Sequence, residues 1–229
     1  MKYQAIIFDA DETLFDFKKS EREAFKNTML EFGINYDENY HLKTYQDINT
    51  AIWKEFEEGL ITQEKLKIDR FKRFSDALKL NLDPEALAKA YMNHLADGSF
   101  LFDGAEALIK DLKKHFKLSI VTNGLSKVQN KRIRKSIIAH YFEDIIISEE
   151  VQVSKPNPKI FELALNNLNI LDKSKVLMVG DSLSSDIKGG LNFGIDTCWF
   201  NPKKLINSKD FKPTYEVSNF EELKNLLIK

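Results

Sequence analysis

Cysteine occurs once in the 229-residue chain, at Cys198. One thiol can neither close an internal disulfide nor assemble a thiolate zinc cluster, so a reducing, cytoplasmic setting is expected. Long apolar runs are also missing. No stretch of about 18 apolar residues exists, so no membrane span is expected. The short run 5–8 is interrupted by Asp9 and does not read as a secretory leader. Charge of one sign is not in excess: 34 Lys and Arg face 35 Asp and Glu, a formal net charge of -1. With no basic footprint and no aromatic RNA motif, a nucleic-acid partner is not expected. Internal repeats and low-complexity tracts are absent too. What is present is 43% hydrophobic and 30% charged residues, the balance of a folded globular protein rather than a disordered one. The length allows one large domain, or one domain with an insertion.

Three apolar segments read as strands covered on both faces: 4–8 (QAIIF), 118–122 (LSIVT) and 175–179 (KVLMV). Residues 145–147 and 196–200 are weaker strand candidates. Helical patterns lie between them, with Ala105, Leu108, Ile109, Leu112 and Phe116 on one apolar face and Ile160, Phe161, Ala164, Leu165 and Leu168 on another. Strand and helix in alternation predict a doubly wound α/β core with a parallel sheet.

Residues 17–97 break that pattern. Ser20 with Glu23 reads as a capping box opening a helix through Phe25, Met29 and Phe32. Tyr45, Ile48, Ile52 and Phe56 mark a second helix, and Phe71, Phe74 and Leu78 a third. Asp83-Pro84 opens a fourth through Leu87, Tyr91 and Leu95. The expected organisation is a core of 1–16 and 98–229 with a helical insertion, 17–97, packed like a small bundle. Trp53, Phe56, Phe71 and Phe74 are assigned to the core of that insertion, and Cys198 to a buried strand. Residues 203–212 are polar and read as a loop.

Four polar segments follow the strand candidates. Asp9-Ala10-Asp11-Glu12-Thr13 comes directly after the first. Two carboxylates at i and i+2 share a cleft if the chain leaves regular pleating there, and one can attack covalently while the other serves as acid and base. An Asx-type turn uses the same residues. Thr122-Asn123-Gly124 offers a hydroxyl, an amide and backbone N–H groups to phosphate oxygens, or simply a polar turn. In Lys155-Pro156-Asn157-Pro158 the prolines stiffen the loop and fix the start of a helix over 158–168. Lys155 is then either a fixed positive charge in a cleft or an ordinary surface lysine. Gly180-Asp181-Ser182-Leu183-Ser184-Ser185-Asp186 places carboxylates where they reach a hard cation such as Mg²⁺. Asp186 alone would pass for a helix cap.

Together the four restrict the chemistry. Asp9, Asp11, Asp181 and Asp186 put four negative charges in one cleft, and a like-charge pair at 4 Å costs about 4 kcal/mol at an effective dielectric near 20. A cation is required, with Lys155 as its partner. No histidine stands in any of the four segments to act as a base. The constellation points to metal-assisted phosphoryl transfer.

The order DADET, VTNG, KPNP, GDSLSSD resembles the four motifs of the haloacid-dehalogenase-like hydrolase superfamily, along the whole chain. The resemblance implies a Rossmann-like core with a helical cap inserted after the first strand. It implies that Asp9 is the nucleophile forming an aspartyl-phosphate and Asp11 the general acid and base. Thr122 and Lys155 would bind the transferred phosphoryl group, with Ala10, Asn123 and Gly124 beside them. Mg²⁺ would be held by Asp9, the Asp11 backbone carbonyl and Asp181, with Asp186 a ligand or the holder of a metal-bound water. Asp11 and the acidic pair of GDSLSSD place the chain on the phosphatase side of the superfamily rather than with its metal-free dehalogenases. DADETLF, SEEVQVSKPNPKIF and VLMVGDSLSSDI also resemble the bacterial 5'-nucleotidase branch acting on pyrimidine nucleoside monophosphates, in which Ala10 and Glu12-Thr13, in place of the commoner Gly-Thr, both fit.

The expected activity is therefore hydrolysis of a small phosphate monoester, a nucleoside 5'-monophosphate foremost. A sugar-phosphate or phosphoglycolate phosphatase or a phosphoglucomutase fits the same motifs. A non-catalytic phosphate-binding regulator on this fold is the reading from another class, and the second carboxylate, Asp11, argues against it.

Overall fold

Strand β1, Ala5–Phe8, is four consecutive apolar residues, all fully buried. Its side chains alternate between two cores. Ile6 and Phe8 point into one with Ile120, Leu177 and Val179, while Ala5 and Ile7 point into the other with Val121, Ile146 and Met178. A strand covered on both faces has no need of polar residues, hence the unbroken apolar run. Beside it lie β2 (Lys117–Thr122), β3 (Asp144–Ile147), β4 (Val176–Gly180), β5 (Asp196–Phe200) and β6 (Tyr215–Val217). All pair in parallel, in the order β3-β2-β1-β4-β5-β6. The computed structural model describes residues 1–228. The expected doubly wound α/β core is present. Residues 145–147 and 196–200 are indeed strands, and Cys198 is buried in β5. The polar stretch 203–212 is a loop, and it leads into β6.

The chain divides into two units, one of Met1–Phe17 with the chain from Ser99 onward, the other of Lys18–Gly98. The second is built from α1 (Phe17–Glu31), α2 (Lys43–Glu57), α3 (Gln63–Leu78) and α4 (Pro84–Asp97). Its core is aromatic: Phe25 stacks on Tyr45 at 4.5 Å between centroids, Tyr45 on Phe71 at 5.4 Å, and Phe74 meets Phe25 edge-on at 5.3 Å. Asp83 caps α4 by accepting from the Glu85 N–H at 3.0 Å, with Pro84 in the first turn. Two expectations need correction. Ser20 is not an N-cap. Helix α1 begins at Phe17, and the Ser20 hydroxyl instead donates to the Gly98 carbonyl at 2.7 Å, satisfying a buried acceptor beyond the end of α4. Trp53 and Phe56 are half-buried and pair edge-to-face at 5.8 Å; they flank the core that Phe71 and Phe74 fill.

On the sheet, α5 (Ala105–Leu112) and α10 (Phe220–Leu227) cover the face carrying Ile6 and Phe8. The other face is covered by α8 (Pro158–Leu168) and α9 (Lys188–Phe193). Asn157 caps α8 through the Lys159 N–H at 3.1 Å, with Pro158 at its first position as expected. Short helices α6 (Ser126–Arg132) and α7 (Ser148–Val151) follow β2 and β3.

Candidate active site

The chain runs from β1 to β2 and β3 on one side of the sheet and to β4, β5 and β6 on the other. Between β1 and β4 lies the switch point, where open α/β sheets form a crevice at the strands' carboxyl ends. Asp9 is there, its N–H donating to Val179 at 2.8 Å. The backbone then curls: the buried Ala10 carbonyl accepts from both Leu14 and Phe15, each at 2.9 Å. Glu12 takes φ +62° inside this loop, a left-handed conformation that costs a non-glycine residue about 1–2 kcal/mol. A glycine would adopt this conformation without that cost. Phe15 pairs antiparallel with Leu101 and closes the loop. Because pleating ends at Phe8, Asp9 and Asp11 face different partners.

Lys155 is the partner of Asp9. Its Nζ lies 2.5 Å from Asp9 Oδ1 and 2.8 Å from Asp186 Oδ1, and donates to the Val121 carbonyl at 2.6 Å. The side chain is 1% exposed, so Lys155 is no surface lysine. The Asn123 side chain sets its backbone by donating to the Lys155 carbonyl and accepting from the Lys155 N–H, both at 2.8 Å. The Asn123 amide is thus committed to the Lys155 loop, whose Lys155–Pro156 bond is cis.

Asp181 and Asp186 come from the end of β4. The Asp181 carbonyl is pinned by the Trp199 indole N–H at 2.8 Å. Asp186 sits in a π-helical turn, Leu183–Ile187, and its Oδ2 accepts from the Ser182 N–H at 3.0 Å. Gly180 makes room for it: a Cβ there would stand 2.2 Å from Asp186 Oδ2. One oxygen from each of Asp9, Asp181 and Asp186 falls within 4.8 Å of the others.

The electrostatics follow from burial. Three carboxylates against one ammonium leave two negative charges, which is the charge one divalent cation neutralises. Burial pushes the Asp9 carboxyl up to about 7, with Lys155 pulling it down and the Asp186 and Asp11 charges adding to the rise. Asp181 is held well above the ordinary carboxylate range by burial and by the charges of Asp9, Asp186 and Glu12. Burial alone would discharge Lys155, but Asp186 and Asp9 together outweigh it and raise its pKa. Carboxylate oxygens in surplus, converging in a buried crevice, suit a hard cation such as Mg²⁺.

The fourth carboxylate is partnered elsewhere. Asp11 Oδ2 accepts from Gln129 Nε2 at 2.8 Å, and Asp11 Oδ1 lies 2.6 Å from Arg132 Nη1. Of the four carboxylates expected in the cleft, Asp9, Asp181 and Asp186 converge, while a buried guanidinium accompanies Asp11. Thr122 Oγ1 is within reach of the Gln129 amide at 3.3 Å and accepts from the Gly124 N–H at 3.2 Å. Gly124 is needed for clearance, since a Cβ there would lie 2.1 Å from Gln129 Nε2. Nothing local marks Gln129 or Arg132 in the sequence, since SKVQNKR reads as a solvated basic helix. Their spacing of three on α6 is the one available signal, because it puts both on one face.

The family described as haloacid dehalogenase-like hydrolase matches residues 6–200. Pyrimidine 5'-nucleotidase YjjG of Escherichia coli (strain K12) is 37% identical over 229 residues, covering 100% of both chains. Pyrimidine 5'-nucleotidase PynA of Streptococcus pneumoniae (strain ATCC BAA-255 / R6) is 35% identical over 230 residues, 100% of this chain and 97% of that protein. Among solved structures, the putative HAD-hydrolase YfnB from Bacillus subtilis, bound to magnesium, superposes with a TM-score of 0.94 at 35% identity over 100% of both chains.

Proposed function

The chain belongs to the haloacid dehalogenase-like hydrolases, and from that premise we propose that it is a Mg²⁺-dependent phosphatase cleaving pyrimidine nucleoside 5'-monophosphates through an aspartyl-phosphate on Asp9. The observation that carries this reading is the buried Asp9–Lys155–Asp186 bridge closed by Asp181 at the β1/β4 switch point. The full-length likeness to two pyrimidine 5'-nucleotidases supports the substrate class.

In this account an Asp9 carboxylate oxygen attacks phosphorus and the ester P–O bond breaks. The leaving alkoxide takes a proton from Asp11. Asp11 then removes a proton from water, which attacks the aspartyl-phosphate at phosphorus and frees Asp9 and inorganic phosphate. Lys155 orients Asp9 and holds a fixed positive charge beside the transferred group. The Asp9, Asp181 and Asp186 carboxylates and the Asp11 backbone carbonyl would hold Mg²⁺, which when bound offsets charge on the phosphoryl oxygens. Asp186 also accepts from the Ser182 N–H and meets Lys155, which fixes its carboxylate in the site. Thr122 supplies a hydroxyl to the phosphoryl group.

These residues meet only the phosphoryl end, common to every monoester. We assign selection of the leaving alcohol to the helical unit, Lys18–Gly98. The test is phosphate release from CMP, UMP and dTMP against glucose 6-phosphate and phosphoglycolate, with Mg²⁺ and with excess chelator. A kcat/KM at least tenfold higher for the nucleotides, lost in chelator, is expected. A preference for a sugar phosphate or phosphoglycolate overturns the substrate class, and full activity in chelator removes the metal.

A further inference from the structure

The mechanism above asks Asp11 to give a proton and then take one, yet nothing in it says what holds that carboxylate still. A short side chain on a surface loop rotates freely, and Asp11 is 25% exposed. Two residues of α6 restrain it. Gln129 Nε2 donates to Asp11 Oδ2 at 2.8 Å, Arg132 Nη1 stands 2.6 Å from Asp11 Oδ1, and the same Nη1 donates to Gln129 Oε1 at 2.9 Å. The orientation of the amide is dictated by chemistry. A guanidinium only donates, so Oε1 must face Arg132, which leaves Nε2 to Asp11. The three side chains form a closed ring, Asp11 to Gln129, Gln129 to Arg132 and Arg132 back to Asp11.

Arg132 is itself enclosed. Its side chain is 0% exposed, and its guanidinium carbon lies 5.5 Å from the Phe15 ring centroid and 5.4 Å from that of Phe17. The aromatic faces fix the plane of the fork. Its backbone carbonyl accepts from Ser99 Oγ at 2.6 Å, tying the end of α6 down. Gly124 leaves the space in which Gln129 folds over toward Asp11.

We propose that Gln129 and Arg132 are positioning residues that fix the Asp11 carboxyl for proton exchange, first with the leaving alcohol and then with water. The proposal rests on Asp11 being the proton carrier.

The test compares kcat/KM for an alkyl phosphate such as a nucleoside monophosphate with that for p-nitrophenyl phosphate, whose phenolate leaves without a proton. This constant reports only the steps through release of the alcohol. The variants are Gln129→Met, Arg132→Lys, Arg132→Met and Gly124→Ala, with Asp11→Asn as reference, each checked by circular dichroism and thermal melting. Gln129→Met is expected to lower the alkyl-to-aryl ratio at least tenfold, mainly through kcat. Arg132→Lys should retain more of the ratio than Arg132→Met. Gly124→Ala, whose Cβ would displace the Gln129 side chain, should follow Gln129→Met. In an Asp11→Asn background, Gln129→Met should lower the ratio no further. An equal loss on both substrates, or an additive loss on top of Asp11→Asn, makes the pair merely structural and overturns the proposal. If Asp11→Asn is crippled on alkyl phosphates while Gln129→Met is not, the positioning role alone falls. If Asp11→Asn loses less than tenfold on alkyl phosphates, the proton-carrier role falls and this proposal with it.

Discussion

Replacing Lys155 by Met removes one charge and keeps most of the volume, so it isolates the electrostatics of the site. In the native protein the ammonium faces Asp9 and Asp186 at 2.5 and 2.8 Å. At an effective dielectric near 20 each pair is worth about 6 kcal/mol before desolvation. Most of that is offset by burying the ions, and breaking a buried pair by deleting one partner costs about 3–5 kcal/mol, because the remaining charge is left uncompensated. The Val121 carbonyl also loses its donor. Burial pushes the Asp9 carboxyl up and Lys155 is what pulls it down to about 7, so in the variant that carboxyl rises further and protonation relieves part of the cost even at pH 8. For a chain of this size about 2–4 °C accompanies each kcal/mol, so the melting temperature in EDTA at pH 8 should fall by about 6–20 °C. Mg²⁺ should then raise the melting temperature of Lys155→Met by more degrees than that of the native protein, because the cation meets three carboxylates with no ammonium among them. The assay is thermal melting by circular dichroism with and without Mg²⁺. A fall of less than about 3 °C with an unchanged response to Mg²⁺ would refute the reasoning, because Lys155 would then not be the counter-charge of the cluster.

Gly180→Ala should cost about 2–4 kcal/mol, because its Cβ would stand 2.2 Å from Asp186 Oδ2 and evict the carboxylate from the Ser182 N–H. Chemical denaturation measures this, and calorimetry should show Mg²⁺ affinity falling at least tenfold; unchanged values would contradict the packing argument. Cys198 is buried in β5 and burial pushes its thiol up to about 12 from an ordinary 9. At pH 8 its thiolate is therefore about a thousandfold scarcer than that of a free thiol. A disulfide reagent should label the native protein slowly and the denatured protein at once, and fast native labelling would place Cys198 at the surface. Exchanging residues 18–98 for the corresponding unit of a sugar-phosphate phosphatase should shift the kcat/KM ratio between a pyrimidine nucleotide and a hexose phosphate by tenfold or more, about 1.4 kcal/mol. A folded chimera with an unchanged ratio would return selectivity to the core.

What the sequence made legible depended on whether the signal was local. Strands β1, β2 and β4 are each buried on both faces, so an unbroken apolar run announces them. Strand β6 has three residues, of which only Val217 is buried, too little to stand out from a loop. Ser20 shows how a local pattern misleads: S-E-R-E has the form of a capping box, but its hydroxyl goes to Gly98, 78 residues away. The four polar motifs could be read because each ends a strand. Their internal roles could not. Asn123 looks like part of a phosphate cradle, yet its amide is spent on the backbone of Lys155, 32 residues on. Gln129 reaches Asp11 across a separation of 118, and only folding brings the two together. Residues whose value lies in a long-range polar contact carry no periodicity and no composition signature, so they emerge only with the tertiary structure.

The central claim is that Asp9 becomes phosphorylated during turnover. Borohydride reduces an acyl phosphate to an alcohol, so it would convert aspartyl-phosphate at this position into homoserine. The protein should be mixed with excess nucleotide and Mg²⁺, quenched within the turnover time, reduced, digested and mapped by mass spectrometry. Homoserine at position 9, dependent on substrate and absent from Asp9→Asn, is the expected result. Unmodified Asp9 in a preparation that is releasing phosphate, with the mark on another aspartate or on none, would contradict the covalent mechanism.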